Sequence, residues 1–373
     1  MSIIEREAYP AARAVSPRLH AYFLRQAATL EGPAGRLAAV PNIESIERII
    51  DAAFWASLRR EEGFIPRISL AFLSPKQAAQ PFIFERRLPL APSLLTRIAP
   101  AVERAGIHLG VWHDSEQGLY VWGAARGIPR LCFVAEVAAP GLIVIKNHSG
   151  ETSGKFVNVA VLEGDQIKVV NPQAWGISDH PSLLNSLLGF DSPGSSVSPV
   201  NLLVQLAVSM RSHGRGGSLL VVPSRSESWR DSIVPPLPYA LSPPFSDLAR
   251  LSHDEPDKAR LTIDAIAGLT AVDGAVVVTD QYEVLGFGAK IMRRKGYVQV
   301  DQIRLTEPVE GELGTLVHPE QLGGTRHLSA AQFVQDQRDA LALVASQDQR
   351  FTIFEWSPRE EIVHGHRVEA LLL

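Results

Sequence analysis

Two short segments of this sequence combine residue types that can bind phosphate and a divalent metal ion. Asp273-Gly274-Ala275 stands at the start of an apolar run, and Gly324-Thr325-Arg326-His327 follows about fifty residues later. Backbone N–H groups in the first turn of a helix have no partner within the helix and attract anions. Together with a nearby carboxylate, an arginine and a histidine, they suit a nucleoside triphosphate and its metal.

The apolar pattern around these segments predicts the elements that hold them. The run 275–278 is short and β-branched and is followed by Thr279-Asp280, which indicates a buried strand. Gly323-Gly324 precedes a predicted helix over 328–335. The C-terminal half as a whole alternates helix and strand, which predicts an α/β domain with a mixed central sheet flanked by helices. Further helices are predicted over 200–210 and within 248–269, and strands over 217–223, 284–288, 340–345 and 351–355. The proline-rich segment 224–244 is predicted to be a loop, and 293–322 a charged insertion.

The N-terminal half has a different pattern. Apolar residues at spacings of three and four predict helices within 16–62, and Asn42 with Ser45 is a plausible helix start. Alternating apolar and polar residues then predict a series of strands, interrupted by one helix over 94–103. This pattern predicts an α+β domain with an antiparallel sheet. The predicted strands cover 67–73, 82–90, 107–113, 119–123, 131–137, 141–146, 155–163 and 167–170.

The change of pattern also predicts the domain boundaries. Residues 171–196 are rich in proline, serine, glycine and asparagine, which is typical of a linker, although 183–188 can form a short helix. We therefore predict an N-terminal domain over 1–170, a linker over 171–196 and a C-terminal domain over 197–373.

Composition narrows the functional classes. The chain has 373 residues, of which 46% are apolar and 20% charged, with a net charge of −4. A general nucleic-acid or membrane-surface binder usually carries a basic excess, so neither partner is expected. The single cysteine, Cys132, lies in an apolar run and is predicted to be buried. No apolar stretch is long enough for a membrane span, and the first residues do not resemble a signal peptide, so a cytoplasmic location is expected.

Four features of the C-terminal half occur in the order found in one known family. A glycine-aliphatic strand at 217–222 precedes Asp273-Gly274-Ala275, then Gly324-Thr325-Arg326-His327-Leu328, then a strand ending at Ser346-Gln347. Over roughly residues 197–357, this order resembles the diadenylate cyclase domain, also found at the front of the bacterial DNA-integrity scanning protein. The N-terminal half resembles the sensor-type domain that precedes some such cyclases.

The resemblance implies an activity and a set of site residues. The family joins two ATP molecules into cyclic di-AMP and releases two pyrophosphates, and it requires Mg²⁺ or Mn²⁺. Each subunit would hold one ATP, so two copies of the chain would meet face to face. Asp273 would lie near the attacking hydroxyl and the metal, Arg326 would hold phosphate oxygens, and His327 would contact phosphate or metal. Binding roles are implied for Gly274, Ala275, Leu285, Gly286, Gly288, Gly324, Thr325 and Ser346.

Two positions depart from the family pattern. Leu328 replaces the second arginine of the Gly-Thr-Arg-His-Arg motif, which removes a cation from the phosphate side. Gln347 replaces an acidic residue, and strand alternation predicts that the neighbouring Asp348 points elsewhere. Arg293-Arg294-Lys295 in the insertion can replace the lost positive charge or form a solvated surface run.

Three functions stay open on the sequence alone. The leading hypothesis is a diadenylate cyclase regulated by the N-terminal domain. The alternative is a degenerate cyclase domain that binds ATP or a cyclic dinucleotide as a sensor without turnover. A nucleotidyltransferase with another product would use the same site. No Gly-x-Ser-x-Gly motif is present, and 214–218 lacks the lysine of a P-loop.

Overall fold

A computed structural model of the chain describes residues 8–30, 37–61, 63–114, 118–149, 156–171, 202–248, 251, 255–348 and 350–373. The chain divides into an N-terminal unit, residues 1–170 together with Leu373, and a C-terminal unit, residues 171–372. Beyond Asn171, the predicted linker and the short helix predicted over 183–188 lie outside the described residues. No helix of the described ranges has both the length and the apolar character that a bilayer crossing requires.

The N-terminal unit is built from helices and one mixed sheet, which confirms the predicted α+β class. Its elements are α1 (Pro10–Thr29), α2 (Ile43–Ser57), β1 (Ser69–Phe72), β2 (Gln80–Pro89), α3 (Pro92–Ile98), β3 (Ile107–Asp114), β4 (Gly118–Arg126), β5 (Phe133–Ala139), β6 (Leu142–His148), β7 (Phe156–Glu163) and β8 (Gln166–Val169). The strands of the sheet are ordered β2-β4-β3-β1-β5-β6-β7-β8.

This sheet differs from the purely antiparallel prediction in one pairing. Strands β1 and β3 are parallel, whereas all the other pairs are antiparallel. Parallel neighbours need a long crossover connection. Here β2 and α3 lie between β1 and β3 in the chain and supply that crossover.

Helix α2 shows how the sequence pattern produces the core of this unit. The side chain of Asn42 accepts a hydrogen bond of 2.8 Å from the backbone N–H of Ser45, as expected for a residue that caps a helix. Ile46, Ile49 and Ile50 are fully buried because their spacing places them on one helical face, which packs against the sheet.

Cys132 lies in a smaller apolar cluster of the N-terminal unit. Its Sγ is fully buried and lies 3.6 Å from the carbonyl oxygen of Phe72. Burial raises the pKa of this thiol far above its ordinary value, so the side chain behaves as a small apolar group.

A buried histidine makes the stability of this unit depend on pH. His108 shares a 2.7 Å hydrogen bond between Nδ1 and the hydroxyl of Ser69, and burial lowers its pKa to about 4. Glu136 raises this pKa, while His148 and Lys146 lower it, and burial outweighs them.

We expect the free energy of unfolding to fall as the pH is lowered from 7 to 5. In this range the unfolded histidine, with a pKa of about 6.5, binds a proton that the folded histidine does not bind, so protonation favours unfolding. For His108 alone, the loss at pH 5 is about 2 kcal/mol. Chemical denaturation at both pH values measures it.

The matched variants are His108→Gln and His113→Gln, because His113 is an exposed histidine on the same strand. His108→Gln should reduce the loss of stability between pH 7 and pH 5, and His113→Gln should leave it unchanged. An equal pH dependence in both variants would show that the pKa of His108 does not differ between the folded and the unfolded chain.

The C-terminal unit contains a nine-stranded sheet and helices. Its elements are α4 (Leu202–Ser212), β9 (Gly217–Val222), β10 (Tyr239–Phe245), α5 (Pro256–Leu269), β11 (Ala275–Thr279), β12 (Val284–Ala289), β13 (Ile303–Thr306), β14 (Thr315–Val317), α6 (Thr325–Asp336), β15 (Leu341–Ala345), β16 (Phe351–Ser357) and β17 (Ile362–Arg367). The strands are ordered β10-β12-β11-β9-β15-β16-β17-β13-β14. Strands β9 and β11 are parallel, as are β13 and β17, so the sheet is mixed.

Helices cover both faces of this sheet. Leu219 of β9 belongs to the apolar cluster that contains residues of α4 and α5, whereas the next residue, Leu220, belongs to the cluster that contains residues of α6. Successive side chains of a strand point to opposite faces, so α4 and α5 lie on one face and α6 on the other. The predicted α/β class with a mixed sheet flanked by helices is confirmed.

Four strands of this unit were not predicted. β10 lies in the proline-rich segment predicted to be a loop, and the predicted charged insertion contains β13 and β14. β10 is an edge strand, and its register shifts between Ala240 and Phe245. Proline is tolerated at such an edge because its missing N–H interrupts no ladder on the open side. Strand β17 also follows the last strand that the pattern predicts.

Candidate functional site

Asp273 lies two residues before β11 and next to Lys290. Ala275, the first residue of β11, pairs with Ala289, the last residue of β12, so Asp273 before the one strand and Lys290 after the other stand close together. Their side chains form an ion pair, and the Asp273 side chain is 87% exposed. The hydrogen bond and the charge of Lys290 lower the pKa of Asp273, and Arg326 adds a smaller effect of the same sign. Asp273 is therefore a solvent-accessible carboxylate beside two cations.

Two glycines allow β11 and β12 to approach each other at this point. Gly274 has a φ of +107°, and a Cβ added to it would lie 2.4 Å from the backbone carbon of Gly288. A side chain at this position would clash with the neighbouring backbone, so the Asp-Gly pair here is more than a simple turn.

Thr325 and Arg326 are the first residues of α6. Gly324, with a φ of +82°, precedes the helix, as predicted for a glycine that opens an anion-binding helix start. The Arg326 side chain reaches the loop before β9, where a Cβ added to Gly216 would lie 2.9 Å from its Nη1. The absence of a side chain at Gly216 therefore leaves room for the guanidinium.

Two clefts adjoin at these residues and share Asp273, Thr325 and Arg326. The smaller, of about 160 Å³, is lined by Ser218, Asp273, Gly274, Ala275, Ala289, Lys290, Ile291, Thr325, Arg326 and Ser329. The larger, of about 580 Å³, is lined by Asp273, Gly323, Gly324, Thr325, Arg326, His327, Val344, Ala345, Ser346, Gln347 and Asp348. The larger volume is within the range of roughly 300–1,000 Å³ typical of small-molecule sites.

His327 borders the larger cleft from within the core. Its side chain is only 1% exposed, and its ring stands edge-on to Phe354. Among the described residues, neither ring nitrogen has a hydrogen-bond partner. Burial lowers the pKa of His327, an effect that the neighbouring backbone of Gly323 and the charge of Asp348 partly oppose. The imidazole is therefore neutral near pH 7 and keeps a lone pair for a ligand.

The turn after β15 brings three polar residues to the larger cleft. Ser346, Gln347 and Asp348 all line it, and the Ser346 hydroxyl donates a hydrogen bond to Asp348. The expectation that Asp348 points elsewhere was wrong, because β15 ends at Ala345 and strand alternation does not extend into the turn. The hydrogen bond from Ser346 and the charge of Arg350 lower the pKa of Asp348, which adds a second carboxylate to this cleft.

Three residues with an implied role in adenine binding lie on β12. Leu285 packs against the apolar cluster on the α6 face, and a Cβ added to Gly286 would lie 2.6 Å from the carbonyl oxygen of Tyr239. Gly288 stands against Gly274. Neither cleft, as formed by the residues that the structure describes, includes Leu285, Gly286 or Gly288 in its lining.

The positively charged side chains of this site stand at different sequence positions from those of the family pattern. Leu328 packs against the apolar cluster that includes α6 residues, so it supplies no polar group to either cleft. Lys290, which sequence reasoning missed, instead places a cation beside Asp273. The only signal for Lys290 in the sequence is its position directly after β12, the strand that pairs with β11.

We expect Lys290→Gln to raise the pKa of Asp273 towards its ordinary value, because the substitution removes the cation that hydrogen-bonds to the carboxylate. Nuclear magnetic resonance titration of the Asp273 carboxyl carbon measures this pKa. Lys295→Gln is the matched control, since Lys295 is an exposed lysine of the insertion. A pKa of Asp273 that is the same in both variants would contradict the ion pair.

Comparison with known proteins gives a family match for one part of the chain. Residues 35–126 match the model of a family described as "Probable sensor domain DACNV". It is a probable sensor domain of proteins associated with diadenylate cyclases. The matched segment runs from before α2 to the end of β4, so it contains β1, β2, β3 and β4 and lies wholly within the N-terminal unit. No curated protein matches the chain.

The chain therefore contains a probable sensor domain in its N-terminal unit. The family match ends well before the C-terminal unit, which carries Asp273, Lys290 and Arg326.

Proposed function

We propose that the C-terminal unit is a diadenylate cyclase domain that condenses two ATP molecules into cyclic di-AMP and releases pyrophosphate. The proposal is supported above all by one observation: Asp273 and the Thr325-Arg326 pair, distant in sequence, line the same clefts. The N-terminal sensor domain would regulate this activity.

The charges of the clefts suit phosphoryl transfer, a reaction catalysed mainly by positioning and charge stabilisation. Arg326 and Lys290 would hold phosphate oxygens, and the hydroxyl and backbone N–H of Thr325 would add hydrogen bonds. A 3′-hydroxyl oxygen would attack an α-phosphorus, its proton would pass to Asp273, and the bond to pyrophosphate would break.

The residues present also fit a divalent metal. Asp273 would offer an exposed carboxylate oxygen and His327 an imidazole nitrogen that has no hydrogen-bond partner among the described residues. When bound, Mg²⁺ or Mn²⁺ would neutralise phosphate charge. A nitrogen donor is less usual for Mg²⁺, which prefers oxygen, so this pair of donors favours Mn²⁺.

A second copy of the chain is required by the product. Cyclic di-AMP contains two adenylates joined by two equivalent bonds, whereas each C-terminal unit would hold one ATP. Asp273 is exposed and accessible to the nucleotide of a second copy. We therefore propose a face-to-face homodimer as the active form.

One observation favours a second function. Leu328, at the position of a family arginine, packs against apolar residues, and Gln347 lines the larger cleft at the position of a family acid. Loss of one donor to the transition state typically costs on the order of 3 kcal/mol. The same site would then bind ATP or a cyclic dinucleotide as a sensor without turnover.

Incubation of the full chain with ATP and either Mn²⁺ or Mg²⁺, followed by mass spectrometry, tests the proposal. Cyclic di-AMP is the expected product. Calorimetric binding of ATP without any product would support the sensor function, and a different product from mixed nucleoside triphosphates would indicate another nucleotidyltransferase. Neither binding nor product at concentrations where the protein dimerises would overturn both nucleotide functions.

A further inference from the structure

Three buried ionisable side chains meet on strands β16 and β17, away from the clefts described above. Glu355, His364 and His366 are 1%, 0% and 2% exposed. One potential ligand atom from each lies within 4.8 Å of the others. Buried charged groups are costly unless they are paired or bind a metal, so this cluster requires a physical explanation.

Strand geometry accounts for the cluster. Glu355 lies directly opposite His364 in the antiparallel pair, and His366 is two residues further along, on the same face. The neighbouring Phe354 belongs to the apolar cluster on the α6 face, whereas Ile353 belongs to the cluster on the α4 and α5 face. The cluster therefore faces α4 and α5, and the candidate nucleotide site lies on the other side of the sheet.

Each histidine has one ring nitrogen held by an outer partner. Nδ1 of His366 lies 2.6 Å from the hydroxyl of Thr306, and Nε2 of His364 lies 3.3 Å from Oε2 of Glu360. Such partners fix the orientation of metal-binding histidines. The remaining nitrogens are Nε2 of His366, which is 3.0 Å from Oε1 of Glu355, and Nδ1 of His364, which has no hydrogen-bond partner among the described residues.

We propose that Glu355, His364 and His366 bind a divalent first-row transition ion, with Zn²⁺ as the best match. Two imidazoles and one carboxylate form a donor set that holds zinc in known enzymes and iron in others. Zinc bonds of about 2.1 Å at tetrahedral angles place ligand atoms about 3.4 Å apart. The distance of 3.0 Å between Oε1 of Glu355 and Nε2 of His366 is already close to this value. The ligand atom of His364 lies within 4.8 Å of the other two, and this separation would decrease when the ion binds.

The surroundings also suit a cation. Glu360, which holds His364, forms an ion pair with Arg304 of β13. Glu355 borders a surface cleft of about 440 Å³, which provides a path for the ion. The bound ion would link β16 to β17, and its outer partners extend that link to β13.

The untagged full chain, freed of metal by chelation, tests the proposal by titration with Zn²⁺ under calorimetry and with Co²⁺ under visible absorption. We expect one ion per chain, a rise in melting temperature with Zn²⁺, and the d–d bands of Co²⁺ in a nitrogen- and oxygen-ligated site. His366→Gln should weaken Zn²⁺ binding by about 100-fold or more, and His113→Gln, an exposed control, should leave it unchanged.

A variant that leaves all three ligands in place guards against misfolding. Thr306→Val removes the outer partner of His366 and should weaken binding by about 10-fold to 100-fold. If His366→Gln fails to fold, this variant and the Co²⁺ spectrum of the unaltered chain decide the question. Absence of the Co²⁺ bands in the unaltered chain, or equal loss of Zn²⁺ binding in His113→Gln, would mean that the cluster is a hydrogen-bonded network only.

Discussion

Under the proposed function, replacing Asp273 by asparagine is expected to lower the rate of cyclic di-AMP formation by about 100-fold or more, the range typical for loss of a general base. The amide is nearly isosteric with the carboxylate, but it cannot accept the proton of the attacking hydroxyl and is a poor metal ligand. Because Asp273 is exposed, the substitution removes little packing, and the fold should persist. Mass spectrometry of the product over time measures the rate.

The matched control for this loss is Asp301→Asn, because Asp301 is an exposed aspartate of the same unit and lines neither cleft. Its product rate should equal that of the unaltered chain. The melting temperatures of both variants should also stay close to the melting temperature of the unaltered chain. A product rate that is nearly unchanged in Asp273→Asn would remove Asp273 from the reaction, even if the chain proves to be a cyclase.

Replacing Gly274 by alanine is expected to destabilise the C-terminal unit by about 3 kcal/mol, which combines backbone strain with overpacking. At a φ of +107° an L-residue is strained, and the added Cβ would lie 2.4 Å from the backbone carbon of Gly288. Since the contact is with backbone rather than with a flexible side chain, β11 and β12 would have to separate. Chemical denaturation of the full chain measures the change in the free energy of unfolding.

Gly296→Ala separates the two causes of this effect. Gly296 also has a positive φ, +86°, but a Cβ added there meets nothing within 4 Å. This variant should therefore lose only about 1 kcal/mol, which corresponds to backbone strain alone. Equal losses in the two variants would show that the close approach of β11 and β12 contributes nothing to stability.

The central residues of the candidate site could be predicted from the sequence because each belongs to a short local motif. The glycine before α6, the threonine and arginine that start the helix, and the aspartate before β11 each have a local signature in the sequence. Lys290 has no such signature, because its proximity to Asp273 depends on the register between β11 and β12. Asp348 was misjudged because one residue decides where β15 ends and the turn begins.

The elements of the fold also separate into those that have a signal in the sequence and those that depend on their neighbours in the sheet. The long periodic helices and, apart from β17, the buried strands of both units were predicted, since burial imposes a period that the sequence records. β10 was missed because its prolines favour a loop, and only its place at the sheet edge makes them compatible with a strand. β13 and β14 lie in a charged segment, where the pairing of β13 with β17 and of β14 with β13, rather than apolar alternation, produces the strands.

The burial of Cys132 has a practical consequence for finding what the sensor domain detects. Because the sequence contains a single cysteine and its thiol is fully buried, a thiol-reactive dye can label the folded chain only when the N-terminal unit opens. A compound that binds the closed form of this unit lowers the population of the open form, and so slows labelling. The rate at which Cys132 is labelled can therefore be used to screen candidate signal molecules on the native chain.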